Sequence, residues 1–164
     1  MEVKEFLTSA KLIDPSIESK TMIHRAGCHC GGVEILVKAS SDITAWRCNC
    51  SMCIKKGFLH LPTKRQDLQL LTDENNLSEY SFGTHTAKHL FCKLCGIGPF
   101  YIPRSDPKGY SVNINCFKTS IKSITIKEFD GANYEASLGG YHPPTEEELD
   151  TTGMPKYGVN EIKL

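Results

Sequence analysis

Eight cysteines stand in 164 residues, and seven of them bunch into three short runs: Cys28-x-Cys30, Cys48-x-Cys50-x-x-Cys53 and Cys92-x-x-Cys95. Cys116 lies apart. Gaps of one and two residues let a tight knuckle aim two sulfurs at one ion ~2.3 Å away, which is what a tetrahedral thiolate site needs. A disulfide framework is the weaker explanation, because the opening MEVKEFLTSAKLIDPS is broken by charges and carries no secretory core. A redox C-x-x-C wants the strand-to-helix setting of a βαβ unit, and no such pattern surrounds these runs. All-thiolate sites select zinc or iron–sulfur clusters, and the spacing here is not a ferredoxin run, so zinc is the expected metal.

Seven ligands divide into four plus three. A closed set of four cysteines is structural, whereas three protein ligands with one position left over is how a catalytic zinc is built. The competing reading has Cys116, a histidine or a held water closing the second set and making it structural too. Spacing alone leaves both open.

The elements that must position these sulfurs read mostly as β. Val33, Ile35 and Val37 alternate with Glu34, Leu36 and Lys38, and Ile43 to Arg47 runs into the middle cysteine run. Further short strands are expected at Gly57–Leu61, Leu68–Leu71, Leu77–Phe82, Lys88–Phe91, Pro99–Ile102, Tyr110–Asn115 and Ile121–Phe129, with Gly83, Pro103, Asp106-Pro107 and Gly109 as turn formers. Short helices are expected at Met52–Lys56 and Thr145–Asp150. The domains expected are a lead-in over 1–23, a zinc-binding domain over 24–130 and an acidic tail over 131–164.

Composition narrows the function. Lys+Arg and Asp+Glu both number 19, so no overall basic excess favours nucleic acid. The balance is uneven: residues 1–129 hold 17 basic and 12 acidic groups, and the remainder holds two against seven. No run approaches the ~18 apolar residues of a membrane span. The reading is a cytoplasmic protein with the nucleus also open, no membrane partner, and a homo-oligomer not excluded.

The order Gly27-Cys-His-Cys-Gly-Gly32, then Arg47-Cys-Asn-Cys-Ser-Met-Cys53, then Phe91-Cys-Lys-Leu-Cys-Gly96 resembles the glutathione-dependent formaldehyde-activating enzyme family. Tyr80-Ser-Phe-Gly-Thr-His-Thr-Ala-Lys-His89 and Phe100-Tyr-Ile-Pro-Arg-Ser105 are similar to its animal branch, which includes centromere protein V. The resemblance covers about residues 24–130. It implies a mainly β fold of the β-tent (Mss4-like) type with short helices and two zinc ions per chain. It also implies that Cys28, Cys30, Cys92 and Cys95 form a structural site, and that Cys48, Cys50 and Cys53 hold a catalytic zinc. The activity implied is that of a carbon–sulfur lyase joining formaldehyde and glutathione into S-hydroxymethylglutathione, or cleaving that adduct. The alternative is a non-catalytic zinc module that binds a protein.

Two features bear on that choice. Asn49 stands where bacterial members often carry histidine, so the surroundings of the second zinc differ. Residues 1–27 hold four basic and four acidic groups and one proline, Pro15, unlike the basic, proline-rich arm to which chromosome binding is attributed. Lys55, Lys56, Lys88, Lys93 and Arg104 are expected either to favour anionic glutathione or to be solvated surface charges. His29 is expected to point away from its flanking ligands, His85 and His89 to be exposed or structural, Cys116 to be a buried small hydrophobe, and Trp46 to lie in the core. Asn49-Cys-Ser51 and Asn76-Leu-Ser78 match a glycosylation sequon to which nothing is attached in this reading.

Overall fold

The computed structural model describes residues 20–134, and it is mainly β, with three sheets and short helical turns between strands. In the first sheet β1 (Thr21–Gly27) pairs antiparallel with β2 (Glu34–Ser40), from Thr21 opposite Ser40 to Gly27 opposite Glu34. The other edge of β2 takes β5 (Leu68–Leu70). Side chains alternate across a strand, so Ile35 and Val37 of β2 fall on one face, and both are fully buried.

The second sheet runs in the order β10 (Ser123–Phe129), β3 (Asp42–Cys48), β4 (Leu59–Thr63), β9 (Tyr110–Asn113), β8 (Phe100–Tyr101). Its pairings are antiparallel except that β10 lies parallel to β3, with Ser123 opposite Asp42 and Phe129 opposite Cys48. A parallel pair needs a long crossover, and the chain between β3 and β10 supplies it. A hairpin of β6 (Leu77–Tyr80) and β7 (His89–Cys92) makes the third sheet, and a single Lys88–Ile102 bridge links it toward β8.

The core is shared between the sheets. Ala26, Val33, Ile35, Val37, Leu68, Phe100 and Val112 pack with Cys28 and Cys92 in one cluster, and Ile43, Ala45 and Ile114 form a smaller one. Each large aliphatic side chain buried there stabilises the fold by ~1.5–3 kcal/mol. Cys28 and Cys92 of the first cysteine set are therefore part of the core, with Cys95 packed against it and Cys30 exposed.

The expected strands appear within two residues of their anticipated bounds, and the expected helix at Met52–Lys56 is α1 (Ser51–Lys56). The lead-in also contributes a strand the sequence reading lacks, since β1 begins at Thr21. Its His24 is fully buried, with Nε2 2.9 Å from the Ser40 carbonyl and Nδ1 3.2 Å from Thr119 Oγ1. The helix anticipated over Thr145–Asp150 and the acidic tail lie outside the described residues. No described helix is long and apolar enough to cross a membrane.

Candidate metal centre and adjoining cavity

The end of β1 delivers Cys28, the turn after it Cys30, the end of β7 Cys92 and the next turn Cys95. All four sulfurs lie within 4.8 Å of one another. Cys28 Sγ and Cys30 Sγ are 3.6 Å apart, as are Cys30 Sγ and Cys92 Sγ. Four sulfurs ~2.3 Å from one ion stand ~3.8 Å apart in a tetrahedron, so this set fits a zinc-sized cation. The glycine after each run makes the knuckle possible: Gly31 has φ +81° and Gly96 φ +75°, backbone that L side chains rarely adopt. Backbone donors already face the sulfurs, with Val33 N–H on Cys28 at 3.2 Å and Gly32 N–H on Cys30 at 3.4 Å. The Cys95 N–H lowers the Cys92 thiol, and the Cys30 N–H holds the Cys95 thiol down to about 6.

The second set is more local. Cys48 closes β3, Cys50 is the N-cap of α1 and accepts from the Cys53 N–H at 3.4 Å, and Cys53 lies in the first turn. The three sulfurs lie within 4.8 Å of one another, and among the described residues this group has three members. Hydrogen bonds from the Cys48 and Cys53 thiols hold the Cys50 sulfur ionised, down to about 2, and the same contacts push the Cys48 and Cys53 thiols up. Crowded thiols of this kind cannot all ionise without a cation among them, and a soft divalent ion satisfies all three. Cys116 joins neither group. It is half-buried against the larger core cluster, and burial pushes its thiol up to about 11. It therefore does not close the second set.

What surrounds the second set was not legible in the sequence. His60 of β4 is buried with Nε2 3.2 Å from Cys53 Sγ. Its Nδ1 faces Ser111 Oγ at 3.0 Å and the Tyr101 hydroxyl at 3.4 Å. Burial holds the ring neutral, down to about 4. With a cation among the sulfurs Cys53 would be a thiolate, which only accepts; the ring proton would then sit on Nε2 and point at Cys53, with Nδ1 accepting from the hydroxyls. The turn Gly131–Asn133 lies across Cys48: a Cβ on Gly131 would stand 2.2 Å from that sulfur. Asn49 ties the turn down, donating from Nδ2 to Asp130 Oδ1 and accepting at Oδ1 from the Ala132 N–H, both at 2.8 Å. Asn49, the position noted in the sequence as a departure, therefore holds a strap over the cluster.

The three sulfurs open on a cavity of about 970 Å³. Trp46 lines it and is not in the core: it stands directly opposite His60 across the β3–β4 ladder, on the face away from Ile43 and Ala45. His89 also lines it, buried and held down to about 4 by desolvation, whereas His85 is exposed with Nδ1 2.8 Å from Ser81 Oγ. His29 is exposed, as alternation expects. Of the five cationic residues singled out in the sequence, Arg104 alone lines the cavity. Lys88 pairs with Glu79, Lys55 and Lys93 are exposed, and the Lys56 ammonium is buried beside Phe58.

Residues 23–129 match the family model described as glutathione-dependent formaldehyde-activating enzyme. The chain belongs to that family. The matched span holds both cysteine groups and most of the cavity wall. A crystal structure of a Rhodobacter sphaeroides protein, a structural genomics target, is similar at 35% identity and a TM-score of 0.56. The similarity covers 63% of this chain and 99% of that one.

Proposed function

We propose that this chain is a zinc-dependent carbon–sulfur lyase that forms or cleaves S-hydroxymethylglutathione. The observation that carries the reading is the three-sulfur group of Cys48, Cys50 and Cys53, which opens on the cavity, while the four-sulfur group is anchored in the core through Cys28 and Cys92. Cys28, Cys30, Cys92 and Cys95 would hold a structural zinc, and the other three a catalytic one. A zinc held by three thiolates supplies a fourth position that takes a soft sulfur and keeps it ionised near neutral pH.

The chain's own residues do the rest. The His60 N–H holds the Cys53 sulfur, and the Ser111 and Tyr101 hydroxyls fix the tautomer that lets it donate. The cavity wall brings thiol and aldehyde together, replacing a chance encounter with a held pair. In the forward direction the glutathione sulfur bonds to the formaldehyde carbon, the C=O π pair moves to oxygen, and oxygen takes the proton the thiol gave up. Cleavage is the reverse.

The segments that resemble the animal branch, residues 80–89 and 100–105, supply Phe82, His89, Tyr101 and Arg104 to the cavity wall. The resemblance of these two segments is what supports placing the chain in the centromere protein V branch, with the β-tent fold it implies. The test is zinc per chain by elemental analysis, with and without glutathione, alongside the rate of S-hydroxymethylglutathione exchange. Two zincs, one shielded by glutathione, and accelerated exchange are expected. One zinc indifferent to glutathione, with exchange at the uncatalysed rate, rejects the enzyme reading.

A further inference from the structure

We propose that the cavity is built to take the glutathione adduct of a bulky, planar, apolar aldehyde in preference to the one-carbon adduct; this rests on the carbon–sulfur lyase reading above. The reaction is unchanged in kind. Sulfur bonds to the carbonyl carbon, the π pair goes to oxygen, and oxygen takes the thiol's proton. What differs is the group on that carbon.

Size is the first argument. A formaldehyde unit adds two non-hydrogen atoms to the thiol, on the order of one or two waters' volume at ~30 Å³ each. The cavity of about 970 Å³ is at the upper end of small-molecule pockets, so it has room for the tripeptide's sulfur arm and a group larger than one carbon beside it. The shape of its wall is the second. Tyr101 packs edge-on to His60, the ring that touches Cys53, at 5.7 Å between centroids. His89 stacks on Tyr101 at 4.9 Å and 10°, and Phe82 stacks on His89 at 5.6 Å and 11°. Three near-parallel rings thus run from Tyr101 to Phe82, whose ring is half in solvent and also stacks on Tyr80 at 5.7 Å and 26°. Such a stack is a surface for another flat, apolar group. Trp46 lines the same space.

Charge is the third argument. Among the described lining residues Arg104 and Asp106 are the charged ones, and Arg104 lies 3.7 Å over the Tyr134 ring. A site meant to clasp mainly the two carboxylates and the ammonium of the tripeptide would show more charged partners along its wall. This wall suits the aldehyde end.

Two measurements on the zinc-loaded full chain test the inference. The first compares catalysed exchange of glutathione with formaldehyde and with phenylacetaldehyde, read by NMR exchange spectroscopy. A kcat/KM for phenylacetaldehyde at least about fivefold higher is expected, the size of one aromatic stacking contact. Phe82→Ala, which removes the half-exposed ring of the stack that lines the cavity, is expected to lower the phenylacetaldehyde-to-formaldehyde ratio about fivefold. The second follows fluorescence of Trp46, the sole tryptophan, on titration with S-benzylglutathione and S-methylglutathione. The benzyl thioether is expected to bind at least about fivefold more tightly. Equal or faster exchange of formaldehyde, with equal binding of the two thioethers, overturns the inference and leaves the lyase reading standing. No acceleration with either aldehyde rejects both.

Discussion

Cys53 serves the second cysteine group twice, as one of its three sulfurs and as the one that meets His60 Nε2, at 3.2 Å. Cys53→Ser is expected to lower zinc from two per chain to one and to cut kcat/KM at least ~100-fold. The fold should persist, because the four-sulfur group and its cluster are untouched; full activity in the variant would sink the open-site mechanism. His60→Phe keeps a ring packed 4.6 Å from Phe58 but removes the donor to sulfur. It should weaken retention of the second metal ~10–100-fold with an unchanged far-UV spectrum; unchanged retention would show that the contact does not hold the ligand. The sulfurs could be read from the sequence because each signals its partner one or two residues away. His60 could not, since it stands seven residues from Cys53 and meets it only through the β3–β4 register that also sets Trp46 opposite it.

The strap formed by Gly131–Asn133 works at the scale of an element. It reaches Cys48 because β10 runs parallel to β3 and places Phe129 opposite Cys48, so the chain leaving β10 must cross the cluster. Asn49→Ala removes both side-chain bonds that hold it. Release of the second metal to a chromogenic chelator should speed up ~10-fold, while the four-sulfur site releases at its original rate. Identical release from wild type and variant would mean that the strap merely rests on the cluster. Gly131→Ala should act more strongly, since its methyl would meet the Cys48 sulfur. Local pattern gave α1 and most strands, because alternation and β-branched residues act within a few positions. It could not give a parallel pairing between residues about eighty positions apart, nor β1, whose buried His24 breaks the alternation.

For the molecule as a whole, the four-sulfur group is the joint between the first sheet and the β6–β7 hairpin, and two of its cysteines are fully or almost fully buried. Cys92→Ser should therefore lower Tm far more than Cys53→Ser, and chelation strong enough to strip both sites should unfold the chain cooperatively. A Cys92→Ser melt matching wild type would reverse that ranking. Glu34 supplies a pH-dependent tie, accepting hydrogen bonds from Lys118 and Arg25. The bond from Lys118, then that from Arg25, holds its carboxyl below the usual range. A carboxyl lowered in the folded state adds stability above its unfolded value, ~4.3, and loses it as pH falls through the folded value. Glu34→Gln should thus melt lower than wild type at pH 7, and the gap should close as pH drops below ~4. A gap that stays constant with pH would exclude the ion pairs as its source.

The spacing of the two groups also sets a timetable for synthesis. A growing chain that has reached residue 53 already holds Cys48, Cys50 and Cys53 together, but only Cys28 and Cys30 of the other set; Cys92 and Cys95 come some forty residues later. The cavity's sulfurs can thus meet an ion while the chain is still on the ribosome, and the joint that stabilises the fold is the later of the two to close.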